Sequence, residues 1–184
     1  MKARFRQREP EDAGRVYGLL EPGPVLLVTT AWRGEDDIMA MSWQTMLEFE
    51  PPLVGCVISN RNHSFELLRR SRECGLNVPA ARLAKRVVGC GDTSGREVDK
   101  FARFGFTRMR AARIGAPLVA ECFANLECRV VDTRFVARYC FFVLEVVQAW
   151  QEAGRRQPPT FHHRGSGVFA VDGRTFVLPF AKMN

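Results

Sequence analysis

At 184 residues, with 46% hydrophobic and 26% charged positions, the chain is long enough for one domain of ordinary size with its own core. That balance excludes a disordered polymer, and no stretch approaches the roughly 20 apolar residues of a membrane-spanning helix. The formal charge of +7 suits an anionic ligand, but the arginines (Arg4, Arg33, Arg69, Arg86, Arg110, Arg134 and Arg155 among them) are scattered, which argues against nucleic acid as a partner.

In chain order, Pro10, Glu11 and Asp12 ahead of Val16, Leu19 and Leu20 predict a short helix over 10–20. Residues 1–20 are therefore taken as an N-terminal helical extension and 21–184 as the main domain. Pro22-Gly23-Pro24 breaks the chain. Val25 to Ala31 reads as a strand buried on both faces, Gly34 to Asp37 as a turn, Ile38 to Trp43 as a second strand and Leu53 to Ser59 as a third. Ser64 predicts the cap of a helix carrying Phe65, Leu67 and Leu68. Leu76 to Pro79 is a short extended piece. Leu83, Ala84, Val87 and Val88 fit a second helix, and Val98, Phe101, Ala102 and Gly105 a third. Leu126, Cys128 and Val130 alternate with Asn125, Glu127 and Arg129, predicting a strand with one wet face. Tyr139 to Val147 is apolar on both faces except for Glu145, and 151–160 is a polar linker. Asp172-Gly173, between 168–171 and 175–178, predicts a C-terminal hairpin. About seven strands with helices inserted after the third predict a mainly β fold. It is an antiparallel barrel, closed or nearly so, with inserted and peripheral α-helices, because closure removes exposed edges.

The six cysteines (56, 74, 90, 122, 128 and 140) show no C-x-x-C pair and mostly sit in apolar runs. They read as free thiols in a reducing compartment, and the basic N-terminus leads into acidic residues rather than an apolar run. The expected location is the cytoplasm.

The segment Ser59-Asn60-Arg61-Asn62-His63-Ser64 carries the most chemistry. A buried strand ends there and a helix begins, so free backbone N–H groups, two hydroxyls and the Arg61 guanidinium suit an anion such as phosphate. The same residues also suit a capped helix with a solvated arginine. Ser94-Gly95 ahead of Lys100 is a second anion candidate, or else a charged surface helix. Met41-Ser42-Trp43-Gln44-Thr45-Met46 mixes apolar and amide groups, as a wall for a flat heteroaromatic ligand requires. Gly89-Cys90-Gly91 follows a helix and is no dinucleotide fingerprint. The three histidines stand without a nucleophile elbow.

Taken together these segments resemble the flavin reductase-like family, whose fold is the FMN-binding split barrel, here a flavoredoxin-like member. The matching pieces stand in order over residues 22–180: Pro24-Val25 with Val28-Thr29-Thr30, Met41-Ser42-Trp43, Pro51-Pro52-Leu53-Val54, His63-Ser64, Leu76-Asn77-Val78-Pro79, Asp99-Lys100-Phe101, Leu126-Glu127-Cys128, Glu145-Val146 and His162-His163. The resemblance implies a Greek-key barrel with FMN as cofactor and NAD(P)H as a possible co-substrate. It implies that Thr30, Met41, Ser42, Trp43, Gln44 and Thr45 line the flavin ring and ribityl chain, with Asn77 and Val78 approaching from the next strand. Ser59, Asn60, Arg61, Ser64, Ser94 and Lys100 would hold the phosphate. It implies a homodimer with flavin near the interface, and a small molecule or protein as electron acceptor. Many family reductases carry a Gly-Asp-His turn, associated with nicotinamide contact, where this chain has Ala137-Arg138-Tyr139. The resemblance implies an FMN-binding oxidoreductase transferring electrons between NAD(P)H and flavin or a downstream acceptor; the departure keeps as alternatives a flavoredoxin-like FMN electron carrier without a nicotinamide site and a non-enzymatic cofactor-binding module.

Overall fold

The structure, a computed structural model, describes residues 8–10, 12, 23–154 and 157–178. Its strands and helices, in order, are β1 (Arg8–Pro10), β2 (Leu26–Trp32), β3 (Glu35–Met41), β4 (Gln44–Glu48), β5 (Leu53–Val57), α1 (His63–Ser71), β6 (Glu73–Val78), α2 (Ala84–Asp92), α3 (Lys100–Arg103), β7 (Arg108–Met109), β8 (Leu118–Val119), β9 (Ala124–Asp132), α4 (Val136–Tyr139), β10 (Phe141–Glu152), β11 (Phe161–His163) and β12 (Phe169–Val171).

The main sheet runs β3-β2-β6-β9-β10-β5-β4, every neighbour antiparallel, with β1 added along β10. The two ends of this path, β3 and β4, are consecutive in the chain. Only Ser42 and Trp43 separate them, and a link that short reaches about 10 Å at full extension. The sheet therefore curls until its ends lie side by side without a ladder between them, which is a split barrel. As predicted, the fold is mainly β and antiparallel with helices inserted after β5.

Alternation along β2 shows how the sequence fills both faces. Leu26 and Val28 join a core with Val54, Leu76, Leu126, Phe142 and Leu144 on one side. Val25 and Leu27 face the other way, into a second core with Ile38, Val87, Cys90, Phe101 and Phe161 beneath α2, α3 and β11. Two cores on opposite faces account for the doubly apolar strands.

Several expectations change. Pro10 opens no helix; it sits in β1, opposite Trp150, on an edge where its missing N–H costs nothing. The rest of the expected 10–20 helix lies outside the described residues, apart from Asp12. The turn after β2 is Arg33-Gly34, both at positive φ (51° and 87°), and Glu35 to Asp37 already belong to β3. The helix expected over 98–105 shrinks to Lys100–Arg103, capped by the Asp99 carboxylate, which accepts from the Ala102 N–H. The wet face of β9 holds only for Arg129 and Val131; Asn125 and Glu127 are fully buried under the loop from β7 to β8. The C-terminal hairpin is β11 with β12, turning through Gly165 and Gly167. Asp172 makes no turn: it accepts from the Thr160 N–H and hydroxyl at 2.7 and 2.6 Å and meets His162 at 2.6 Å.

Candidate functional site

Two adjoining clefts run along the flank of β3. The first, of about 250 Å³, is lined by Asp37 and Met39 of β3, by Arg61 to His63 at the start of α1, by the end of α2 and by Ser94, Gly95 and Lys100. The second, of about 220 Å³, is lined by Val25, Met41, Ser42, Val87, Val88, His163 and Phe169. Ala40, Gly91 and Asp92 belong to both, so the two form one groove, polar at one end and apolar at the other.

The polar end is built on Asp37. This carboxylate is buried, and it is held by Lys100 Nζ at 2.9 Å and by the Ser64 hydroxyl, which donates at 2.6 Å. Both charged side chains are at most 3% exposed, so the pair is tight and electrically neutral overall. Gly95 lets its backbone approach the Asp37 carboxylate so closely that a Cβ there would collide with it. The pairing corrects one expectation and bears on another. Ser64 does not cap the helix, since Asn62 occupies the cap position, and the Ser64 hydroxyl is committed to Asp37. Lys100 brings no uncompensated charge for a phosphate, because Asp37 neutralises it; another proton reaches Cys90 O at 3.4 Å. Burial pushes the Cys90 thiol up to about 12, with Lys100 pulling the other way, so it lines the cleft as a neutral group.

The cations left for an anion are Arg61 and Arg96. Both are exposed, and the Arg96 guanidinium donates to Arg61 O at 3.4 Å. Ser59 and Ser94 organise the two loops, each hydroxyl accepting from the backbone N–H two residues on, at 3.3 Å. Asn60 is exposed beside Arg61.

Of the residues assigned to the ring and ribityl, Met41 and Ser42 line the apolar end. Trp43 does not: it lies 70% exposed outside both clefts. Thr45 is exposed, its hydroxyl donating to Met46 O at 3.2 Å. Gln44 turns inward, donating to Pro24 O at 2.7 Å and leaving its Oε1 buried without a partner. Thr30, opposite Asp37 in the ladder, is buried with an unpaired hydroxyl. Asn77 and Val78 stand away from the groove. Asn77 is a fully buried hub: it donates to Leu27 O and accepts from the Val119 N–H and Asn125, each at 2.9 Å, while Val78 fills the first core. An amide reads the same in sequence whether it meets a ligand or ties strands together.

Sequence reasoning missed Asp37, taken as a turn residue, and the placement of His63 and His163 on the groove wall. His63 Nε2 meets Glu35 Oε1 at 2.8 Å, while its Nδ1 is buried and unpaired. His163 stacks at 5.1 Å on Phe169.

An antiparallel split barrel with a two-ended groove is the architecture of a small-ligand binder. Residues 19–169 match the flavin reductase like domain, and the chain belongs to that family. It is 33% identical over 186 residues to the uncharacterized protein YddH of Escherichia coli K12, covering 94% of this chain and 97% of that one. It is 30% identical to the reductase component of the 4-nitrophenol 4-monooxygenase/4-nitrocatechol 2-monooxygenase of Rhodococcus opacus, over 79% of this chain and 74% of that one. Among solved structures, an FMN-binding domain of a flavin reductases-like enzyme from Shewanella baltica superposes with a TM-score of 0.89 at 24% identity, covering 95% and 99% of the two chains. Flavoredoxin from Methanosarcina acetivorans gives 0.74 at 26% identity, covering 84% and 87%.

Proposed function

We propose that the chain binds FMN in the groove along β3 and works as an FMN-dependent oxidoreductase, moving electrons between NAD(P)H and flavin or a downstream acceptor. The observation that carries this is the polarity of the groove. The Arg61 and Ser94 loops at one end suit a phosphate, and the wall of Val25, Met41, Val87, Val88 and Phe169 at the other suits a flat ring. Bound flavin supplies the redox chemistry; the protein's part is to hold it, orient it and keep water from its face. Titration of the purified protein with FMN, followed by fluorescence quenching, tests the assignment. Arg61→Ala is expected to weaken FMN binding about tenfold, the worth of one exposed charge-assisted contact of about 1.4 kcal/mol. Unchanged affinity refutes the phosphate assignment.

A flavoredoxin-like carrier is the second reading. Tyr139, where the reductases' histidine would stand, is 53% exposed at the end of α4, with the Arg138 guanidinium 5.1 Å from its ring. Anaerobic stopped-flow decides: bleaching of the flavin band by NADH or NADPH supports the reductase, and failure of both supports the carrier.

The working form is a homodimer with the flavin near its interface. Leu47 and Phe141 both cover Gly55 on one face of β4-β5-β10, and Trp43, Phe49, Phe135 and Tyr139 add exposed apolar area to this end of the molecule. A second copy buries that face and brings Trp43 out of water; a monomer by light scattering refutes it. Six free thiols, five of them buried, suit the cytoplasm.

A further inference from the structure

We propose that the open cleft between the β2–β3 turn and the loop from β7 to β8 is a second ligand site, separate from the groove along β3, and that it takes a nucleoside diphosphate.

This cleft has a volume of about 980 Å³ and is lined by residues 31–36, Ser71, Glu73 and 108–117. That is the upper end of the roughly 300–1,000 Å³ typical of small-ligand clefts. Alternation along β3 keeps it apart from the groove: Asp36 faces the cleft and Asp37 the groove. Glu35 lines the cleft and Met41 the apolar end of the groove, and the strand between them spans about 20 Å. A ligand in the cleft therefore lies a strand-length from a ring seated at Met41, which separates this site from that of a hydride donor.

The carboxylates of the cleft are all engaged. Asp36 accepts from Arg108 Nε and Nη2 at 2.7 and 2.8 Å. Glu73 accepts from the Gly115 N–H at 2.9 Å and from Arg129 Nε at 3.4 Å. Glu35 Oε1 meets His63 Nε2 at 2.8 Å. Three guanidiniums are not so engaged. Arg33, Arg110 and Arg113 line the cleft, are exposed, and have no carboxylate partner among the described residues; Arg33 rests over the Trp32 ring at 5.5 Å. Guanidinium forks match phosphate oxygens, and three of them suit a polyanion better than a single carboxylate.

The loop that carries Arg110 and Arg113 is fastened from beneath. The Ala112 and Arg113 N–H groups donate to Glu127, which is fully buried, at 2.9 and 2.5 Å, and Arg113 O accepts from Arg129 Nη2 at 2.8 Å. With their backbone held by these bonds, the two forks need little ordering when a ligand arrives. Half-buried Trp32, Ile114 and Pro117 give the same cleft apolar surface for a flat base. Phosphate forks beside apolar walls, in a space of this size, describe a base joined to a diphosphate.

Calorimetric titration with ADP, with and without saturating FMN, tests the site. One ADP per chain is expected, saturating below about 1 mM and with the same affinity in both arms. Adenosine and pyrophosphate, each half of the ligand, should bind at least about tenfold more weakly. The double variant Arg110→Ala with Arg113→Ala should weaken ADP at least about tenfold, while its melting temperature and FMN affinity stay unchanged. Absence of saturable ADP binding overturns the proposal. So does displacement of ADP by FMN, which would put it in the groove, and so does undiminished ADP binding in the double variant. Pyrophosphate binding as tightly as ADP overturns the nucleotide class.

Discussion

Asp37 on β3 and Glu127 on β9 are both buried carboxylates on strands of one sheet, and the protein satisfies them by different means. Asp37 is met by a cation, Lys100, and by a hydroxyl, and it opens onto the groove. Glu127 is met by three neutral N–H groups: Ala112 at 2.9 Å, Arg113 at 2.5 Å and the Trp150 indole at 2.7 Å. It closes the loop between β7 and β8 over the sheet. An ion pair holds the side proposed to bind FMN; neutral N–H donors hold the loop over β9, whose residues 108–117 line a separate cleft of about 980 Å³. Burying an ion pair costs desolvation, and the cost is most serious when one partner is removed.

The largest effect is therefore expected at Lys100. Lys100→Met strands the Asp37 charge and should cost about 3–5 kcal/mol in urea denaturation, while the double variant with Asp37→Asn should recover much of that loss. If the double variant is no more stable than the single, the pair does not act as a unit. Glu127→Gln comes next, at about 1.5–3 kcal/mol for bonds to a charged acceptor, with FMN affinity unchanged. Equal weakening of FMN by Glu127→Gln and Lys100→Met would erase the division between the two sides. Arg61→Ala should reverse the pattern, loosening FMN while moving stability by less than about 0.5 kcal/mol. The smallest effect concerns acid. Burial raises the Asp172 carboxyl, but hydrogen bonds from Thr160 and His162 outweigh it, so the net shift is down. A lowered folded value means that its stabilisation is present above the ordinary carboxylate range and is lost as pH falls through the lowered value. Amide exchange at Thr160 should accelerate only below about pH 4.

The same pair of residues shows what sequence conveys. The strands β2, β5 and β10 were legible because long apolar runs have few alternatives, and the 59–64 loop because a strand-to-helix junction advertises its free N–H groups. Asp37 was not legible, since an acidic residue after Gly34 reads as solvated until its partner is known, and Lys100 is 63 positions away. Glu127 and Asn125 alternated with apolar residues as a wet face does; the loop that covers them arrives from residues 108–119, with no local mark. Asp172-Gly173 carried the usual hairpin signal, but Asp172 is tied to Thr160 and His162.

The two-residue link that splits the barrel also leaves β4 as a terminal strand, hydrogen-bonded on one side only. Leu47 and Phe49 make that margin adhesive, and Glu48, Glu50, Pro51 and Pro52 crowd the same stretch, where the pairing register slips between Met46 and Glu48. Charge, missing donors and an irregular ladder are the usual guards against runaway strand addition. In the proposed homodimer they would let a second copy cover the apolar face without extending the sheet. Neutralising Glu48 and Glu50 would strip the charge from that margin and leave Pro51, Pro52 and the register slip as its remaining guards.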